Sequence, residues 1–249
     1  MPRESVPVPA AVAPPLECLI ITGMLALLGM LMVLAAAPAD PFVRPREEMV
    51  LTQITRRGVR DEAVLAAMRS VPRHLFVPER IRGSAYEDRP LPIGHGQTIS
   101  QPYIVAYMTE LLRLTPDAKV LEVGTGSGYQ AAVLARIARE VYTVEIVPEL
   151  GRQAQGRLRT LGYGTVHAMV SDGYHGWEQH APYDAIMVTA AVEYIPPPLI
   201  AQLKDGGRMI VPVGSPFVAQ MLMLVEKKDG KVRTSSLLPV RFVPLTRGP

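Results

Sequence analysis

The sequence predicts an α/β fold: a doubly wound, mostly parallel sheet with helices on both faces and antiparallel strands at its C-terminal end. Three observations carry that expectation. From Ala118 onward, short apolar runs alternate with longer amphipathic stretches, the βαβα rhythm of a parallel sheet flanked by helices. One such run, 119–123, leads into Gly124, Gly126 and Gly128 and then directly into the helix-forming Gln130-Ala-Ala-Val-Leu-Ala-Arg136. Beyond Gly207 the rhythm changes to apolar runs joined by Gly and Asp-Gly turns, with Asp229-Gly230 marking a hairpin.

In chain order, residues 1–15 are rich in Pro, Ala and Val, and 19–37 is an uncharged apolar run long enough for a helix to cross a bilayer. Ala37-Pro-Ala39 resembles a signal cleavage site, so a signal peptide is the second reading, and a translation start at Met49 the third. Only Arg3 precedes the run, whereas Arg44, Arg46, Arg56, Arg57 and Arg60 follow it. By the positive-inside rule the remainder stays on the cytoplasmic side. The expected location is therefore cytoplasmic, with a possible membrane tether through 19–37; export to the periplasm is the alternative. The expected division is 1–45 and 46–249, with 46–117 forming an N-terminal helical, substrate-side subregion.

Within 46–69, Met49, Val50, Ile54, Val64, Leu65 and Met68 fall at near-helical spacing. Val71-Pro-Arg-His-Leu-Phe-Val-Pro78 reads as an extended piece bounded by prolines, and 86–99, broken by Pro and Gly, as a loop or short strands. Ser100 is expected to cap a helix running to about Leu112, with Pro102 in its first turn. Strands follow at 119–123, 141–145, 165–170 and 183–188, helices at 129–139, 148–161 and 197–203, and C-terminal strands at 208–213, 220–226 and 231–240.

At 249 residues with 48% hydrophobic content, the chain can bury a sizeable core. Its net charge of +3 is spread without any run of five basic residues, which gives little support to a nucleic-acid groove. Cys18 is the only cysteine, and the five histidines form no H-x-x-x-H pair, so neither an intramolecular disulfide nor a zinc cage is expected.

The glycine spacing is G-x-G-x-G, not the G-x-G-x-x-G that cradles a dinucleotide pyrophosphate. It points to a nucleoside cofactor without a pyrophosphate, for which S-adenosylmethionine is the usual candidate. In an open α/β sheet ligands bind beyond the carboxyl ends of the strands. The first strand ends in the glycine loop, with Glu122 just inside it. The second ends at Glu145, 21 residues after Gly124 and near the ~20 expected for an acid gripping ribose hydroxyls. The third ends at Asp172-Gly173, where an acid can accept from an adenine amino group and a glycine lets the ring approach. The fourth ends at Thr189-Ala-Ala191, whose small side chains leave room for donor and acceptor. Each feature alone has a plainer reading as a turn, a solvated acid or a cap. Together, at the ends of consecutive strands, they describe a cleft.

The same residues resemble those of the protein-L-isoaspartate O-methyltransferases, over about 49–246. The stretches that carry the resemblance are Val71 to Pro78, Gly96-Gln-Thr-Ile-Ser-Gln-Pro-Tyr103, Leu121-Glu-Val-Gly-Thr-Gly-Ser-Gly-Tyr129, Asp172-Gly-Tyr-His-Gly-Trp177, Ala181-Pro-Tyr-Asp-Ala-Ile186, Thr189-Ala-Ala191 and Phe242-Val-Pro-Leu-Thr246. The resemblance implies a Rossmann-like class I methyltransferase that moves a methyl group from S-adenosylmethionine to the free α-carboxylate of L-isoaspartyl residues, starting repair through a succinimide. It implies that Ser100 is the active-site residue and that Gln97, Thr98 and Ile99 line the acceptor site. It implies that Glu122, Gly124, Gly126, Gly128, Glu145, Asp172, Gly173 and Thr246 surround the cofactor. The expected partners are isoaspartyl-containing peptides and proteins, with no nucleic acid, and a monomer is expected. Ser171 stands where the family often has Gly, and Ile146 where it often has Arg; a C-terminal helix present in some members has no counterpart after Thr246. The alternatives are another S-adenosylmethionine-dependent methyltransferase acting on RNA or a small molecule, and a non-enzymatic binding domain on the same fold. A nicotinamide dehydrogenase fits poorly, since the glycine spacing is wrong for it.

Overall fold

The computed structural model describes residues 40–215 and 218–248. Residues Phe42–Pro249 form one compact unit. The run 19–37, Cys18 and the Pro/Ala-rich segment lie outside the described residues; among those described, no helix is long and apolar enough to cross a membrane.

The unit begins with α1 (Val43–Glu48), which passes through a π-helical turn, Met49–Ile54, and a 3-10 turn, Thr55–Arg57. Gly58, at φ +100°, ends this stretch in the left-handed region that glycine enters without steric cost. In α2 (Glu62–Ser70) the Asp61 carboxylate caps the helix by accepting from the N–H groups of Ala63 and Val64. All six apolar residues picked out by helical spacing in this region are buried.

Residues 71–78 depart from the extended piece expected. Arg73–Phe76 forms a 3-10 turn, closed by a 2.9 Å bond from Leu75 N–H to the Pro72 carbonyl. The flanking prolines bound a single turn because Arg73, His74 and Phe76 are all pulled inward. Phe76 packs edge-on against Tyr129, and His74 stacks on Phe42 with centroids 4.1 Å apart. A two-stranded antiparallel ribbon follows, β1 (Leu91–Gly94) with β2 (Gln97–Ile99).

Next comes α3 (Pro102–Leu111), one residue later than expected. Its N-cap is Gln101, not Ser100, and no side chain caps it. The reason is local: a residue preceding proline is driven out of the helical region. Gln101 is accordingly extended, at φ −51°, ψ 137°, and Pro102 takes the first helical position.

The main sheet has seven strands in the order β5-β4-β3-β6-β7-β8-β9. They are β3 (Lys119–Val123), β4 (Glu140–Glu145), β5 (Val166–Val170), β6 (Tyr183–Val188), β7 (Leu203–Val213), β8 (Gln220–Lys228) and β9 (Lys231–Val240). The first five are parallel; β8 and β9 run antiparallel beyond β7. Asp229 and Gly230, at φ +52° and +70°, make the tight turn between β8 and β9. The intervening helices are α4 (Tyr129–Leu134), α5 (Pro148–Thr160) and α6 (Pro197–Gln202). Of these, α4 stops five residues short of the expected 139.

Alternate residues of a strand face opposite ways, so each central strand feeds two cores. Val120, Ala185 and Met187 join one, with residues of α2, α3 and α4. Their neighbours Leu121, Ile186 and Val188 join the other, with Leu199 of α6. Each fully buried Val, Leu or Ile contributes roughly 1.5–3 kcal/mol. Strand order reverses at β3, which has β4 on one side and β6 on the other, and the site lies at the carboxyl ends of these strands.

Candidate functional site

Register fixes the site. Val123 pairs with Val144 on one side and Val188 on the other, so Gly124, Glu145 and Thr189 emerge side by side at the sheet edge. The glycine loop is held from three directions. Gly124 N–H reaches the Val144 carbonyl at 2.8 Å, and Gly126 N–H the Glu145 carboxylate at 2.7 Å. Arg157 of α5 donates to the Ser127 carbonyl at 2.7 Å. The other Glu145 oxygen accepts from Val147 N–H at 2.9 Å, so this carboxylate orders the loop as well as facing the cleft.

The three glycines differ in role. Gly124, at φ +101°, lies against Thr189, whose hydroxyl donates to the carbonyls of Val123 and Gly124. A Cβ on Gly124 would run into that hydroxyl oxygen. Gly126 borders the cleft openly. Gly128 is buried as the N-cap of α4, and a Cβ there would meet Leu158 of α5; it seats a helix and does not line the cleft. Gly124→Ala combines a disfavoured φ with displacement of Thr189, a cost of roughly 1–3 kcal/mol from the backbone alone. The expected result is a cofactor dissociation constant at least about tenfold weaker by calorimetry with S-adenosylhomocysteine; an unaltered constant would show that the loop does not approach the ligand there.

The cleft encloses about 510 Å³, its open mouth included. It brings together Gln97, Thr98, Gly124, Gly126, Glu145, Gly173 and Thr246. Its roof is the segment 243–246, laid along the residues after β6. Ala191 N–H bonds the Val243 carbonyl at 2.8 Å, and Leu245 N–H the Ala191 carbonyl at 2.7 Å.

Asp172 does not line this cleft. One of its oxygens caps Tyr174 N–H at 2.9 Å, and the other accepts from Arg247 at 2.9 Å and Gly248 N–H at 3.3 Å. Desolvation opposes ionisation of this acid, but the bonds from Arg247 and the two N–H groups outweigh it and lower its pKa. The Arg247 guanidinium also lies 3.6 Å from the centroid of the Tyr174 ring. Asp172 thus clasps the C-terminal segment, while Gly173 lines the cleft and is packed so closely on Val123 that a Cβ there would clash.

A larger groove, about 1230 Å³ on the same measure, runs between α3 and the end of β9. Ser100, Thr98, Ile104, Phe242 and the arginines Arg57 and Arg241 border it. Cleft and groove share only Thr98, Thr189 and Val243. Ser100 stands beside that junction, and its hydroxyl has no protein partner among the described residues. Thr189, expected at the end of the fourth strand as a small residue leaving room for donor and acceptor, lines both cleft and groove. Val243 and Phe242 carry no site role in the sequence reading beyond their place in the stretch 242–246, yet Val243 lines both and Phe242 the groove.

A small cavity below the loop is bordered by Ser100, Ile99, Thr189 and Glu122. Glu122 is fully buried; Thr143 donates to its Oε2 at 2.5 Å, and Thr125 bonds Thr143 at 2.6 Å. Its Oε1 has no partner. Desolvation, with Glu145 nearby, pushes this carboxyl up to about 8 against the pull of Thr143. The unfolded chain releases that proton from about 4.5 upward, whereas the native state keeps it to about 8. Stability from this group is therefore full below pH 4.5 and is lost as pH rises toward 8. Glu122→Gln, neutral at every pH, is expected to flatten the fall in Tm between pH 5 and 8.5. Parallel Tm curves for the two proteins would overturn the buried neutral acid.

Comparison with known proteins agrees with this geometry. The family model described as Protein-L-isoaspartate(D-aspartate) O-methyltransferase (PCMT) matches residues 44–249. The chain is 65% identical over 193 residues to protein-L-isoaspartate O-methyltransferase 2 of Polaromonas sp., covering 77% of this chain and 92% of that one. It is 56% identical over 226 residues to the Opitutus terrae protein-L-isoaspartate O-methyltransferase, covering 90% and 97%. A solved protein-L-isoaspartate O-methyltransferase superposes with TM-score 0.73 at 32% identity, over 80% of this chain and 65% of that one. A Plasmodium falciparum structure, described as a candidate for the same activity and in complex with S-adenosyl-L-homocysteine, superposes with TM-score 0.71 at 26% identity, over 82% and 99%. With the family model matching residues 44–249 of the compact unit, this chain belongs to the protein-L-isoaspartate(D-aspartate) O-methyltransferase family, whose cofactor is S-adenosylmethionine.

Proposed function

We propose that this chain transfers a methyl group from S-adenosylmethionine to the free α-carboxylate of L-isoaspartyl residues in damaged proteins, and that Ser100 presents that carboxylate. The observation that carries the reading is the Ser100 hydroxyl, without a partner among the described residues, beside the junction of the glycine-loop cleft and the larger groove. Family membership supports the reaction class.

The residues fit the cofactor. Gly124 and Gly173 have no room for a side chain, Gly126 sits at positive φ close to Ile93, and Glu145 keeps lone pairs for ribose hydroxyls beyond the two N–H groups it accepts. Gly124, Gly126, Glu145, Gly173 and Thr246 are the proposed holding set, with Glu122 beneath and Asp172 fixing the roof. When bound, S-adenosylmethionine supplies a methyl group made electrophilic by its sulfonium. The acceptor needs no base, because a carboxylate with a pKa near ~4 is already ionised at neutral pH. What remains for the protein is alignment, which supplies roughly 7–11 kcal/mol in well-oriented reactions. Thr98 and Ser100 hold the anion from one side, and Arg57 and Arg241 raise the local positive potential along the groove. The backbone amide nitrogen of the following residue then attacks the methyl ester and expels methanol to form a succinimide, which water reopens partly to normal aspartate.

The arginine excess after 19–37 supports catalysis on the cytoplasmic side, with that run as a possible tether.

The test offers the purified protein labelled S-adenosylmethionine and two peptides identical except for an Asp or isoAsp linkage. Base-labile label in the isoAsp peptide alone is expected. Cofactor binding without label in either peptide would overturn the acceptor assignment and favour RNA or a small molecule.

A further inference from the structure

Arg73 is an arginine with no exposed surface, the largest fully buried side chain among the described residues. Its Nε donates to the Ala85 carbonyl at 2.7 Å and its Nη2 to the Ser100 carbonyl at 2.7 Å. The guanidinium carbon lies 4.9 Å from the centroid of Tyr129, the first residue of α4 after the glycine loop. Among the described residues no carboxylate pairs with it. Burial lowers its pKa to about 10, so it remains charged at neutral pH.

A buried cation without a counter-ion is a costly way to fill a core, and apolar residues of similar volume are often as stable or more so. The two carbonyls it bonds show what the charge achieves. Ser100 is not fixed by capping a helix, and its hydroxyl bonds nothing among the described residues, so its direction depends on its backbone. That backbone is held on its C-terminal side by two contacts. Arg73 holds the Ser100 carbonyl, while the next side chain, Gln101, donates to the Asp88 carbonyl and carboxylate at 3.1 and 2.8 Å. Asp88 is held in turn by Arg57 at 3.1 Å. Charge-assisted bonds are short and directional, which suits a brace.

We infer that Arg73 is a positioning residue for methyl transfer: its guanidinium clamps the Ser100 carbonyl and so aims the Ser100 hydroxyl at the acceptor carboxylate. The inference rests on the proposed role of Ser100.

The experiment is a double-mutant cycle in the full chain, reading kcat and KM for an isoAsp peptide, the dissociation constant of S-adenosylhomocysteine, and Tm. The variants are Arg73→Lys, Arg73→Met, Ser100→Ala and the two doubles. Arg73→Lys keeps the charge but not the fork that spans two carbonyls. Arg73→Met keeps the length and removes the buried charge. Each single Arg73 variant is expected to lower kcat about tenfold, with cofactor affinity within about twofold, since the loss is of one oriented hydrogen bond. In the Ser100→Ala background the same replacements are expected to change kcat by less than about twofold, because residues that act through one another do not add.

Full multiplicative losses in the doubles would overturn the inference, as would wild-type kcat in Arg73→Met. Failure of both Arg73 variants to fold would reduce Arg73 to a fold element and overturn it too. Wild-type turnover by Ser100→Ala would remove the premise, an outcome distinct from a failed brace. Absence of isoAsp methylation by the unmutated protein would instead overturn the proposed reaction.

Discussion

Ser100→Ala is expected to lower kcat for an isoAsp peptide roughly 10- to 100-fold, the effect of losing one hydrogen bond to a charged group, about 1.5–3 kcal/mol. Because that bond forms only with the acceptor, affinity for S-adenosylhomocysteine should hardly move. Tm should not fall by the ~1 kcal/mol typical of a lost N-cap, since Gln101 and not Ser100 occupies that position. Steady-state kinetics beside thermal melts separates the outcomes. Equal loss of turnover and stability would return Ser100 to a structural role; unchanged turnover would remove it from the site.

Glu145→Ala is expected to weaken the cofactor roughly 100-fold or more. Two contributions combine. The ribose loses its acceptor, and Gly126 N–H and Val147 N–H lose the carboxylate they share, at roughly 1.5–3 kcal/mol for each bond to a charged group. Glu145→Gln separates them, since the amide keeps one acceptor oxygen for the loop but can no longer satisfy both N–H groups. It should fall between wild type and Ala by calorimetry. An unchanged dissociation constant in Glu145→Ala would contradict both the ribose contact and the ordering of the loop.

Much of the fold was legible because periodicity and punctuation coincide. The strands from β3 to β6 are apolar runs of strand length, and the β8–β9 turn is marked by Asp229-Gly230. The glycine loop, Glu145 and Gly173 were legible because a parallel sheet places successive strand ends in one crevice. Other features depended on partners distant in sequence. Nothing in 129–139 breaks a helix, yet α4 ends at Leu134 because the chain must turn back to meet β4, where Arg139 N–H bonds the Ala118 carbonyl at 3.0 Å. Gly128 looks like its two neighbours but seats Leu158, a relation fixed only when α5 packs. Asp172 was placed at the correct strand end, but its carboxylate is claimed by Arg247, 75 residues later. Arg73 carried no signal, since a charged residue between prolines reads as surface. The position of Ser100 was different: Gln101-Pro102 already contained the reason that the helix begins after it.

The narrow overlap of cleft and groove has a kinetic meaning. Two openings whose linings share only Thr98, Thr189 and Val243 would let each proposed occupant reach solvent separately. With the cofactor in the cleft and the acceptor in the groove, as proposed, spent nucleoside would be exchanged while the polypeptide stays in place, and a bulky, misshapen client would need no release for the enzyme to reload.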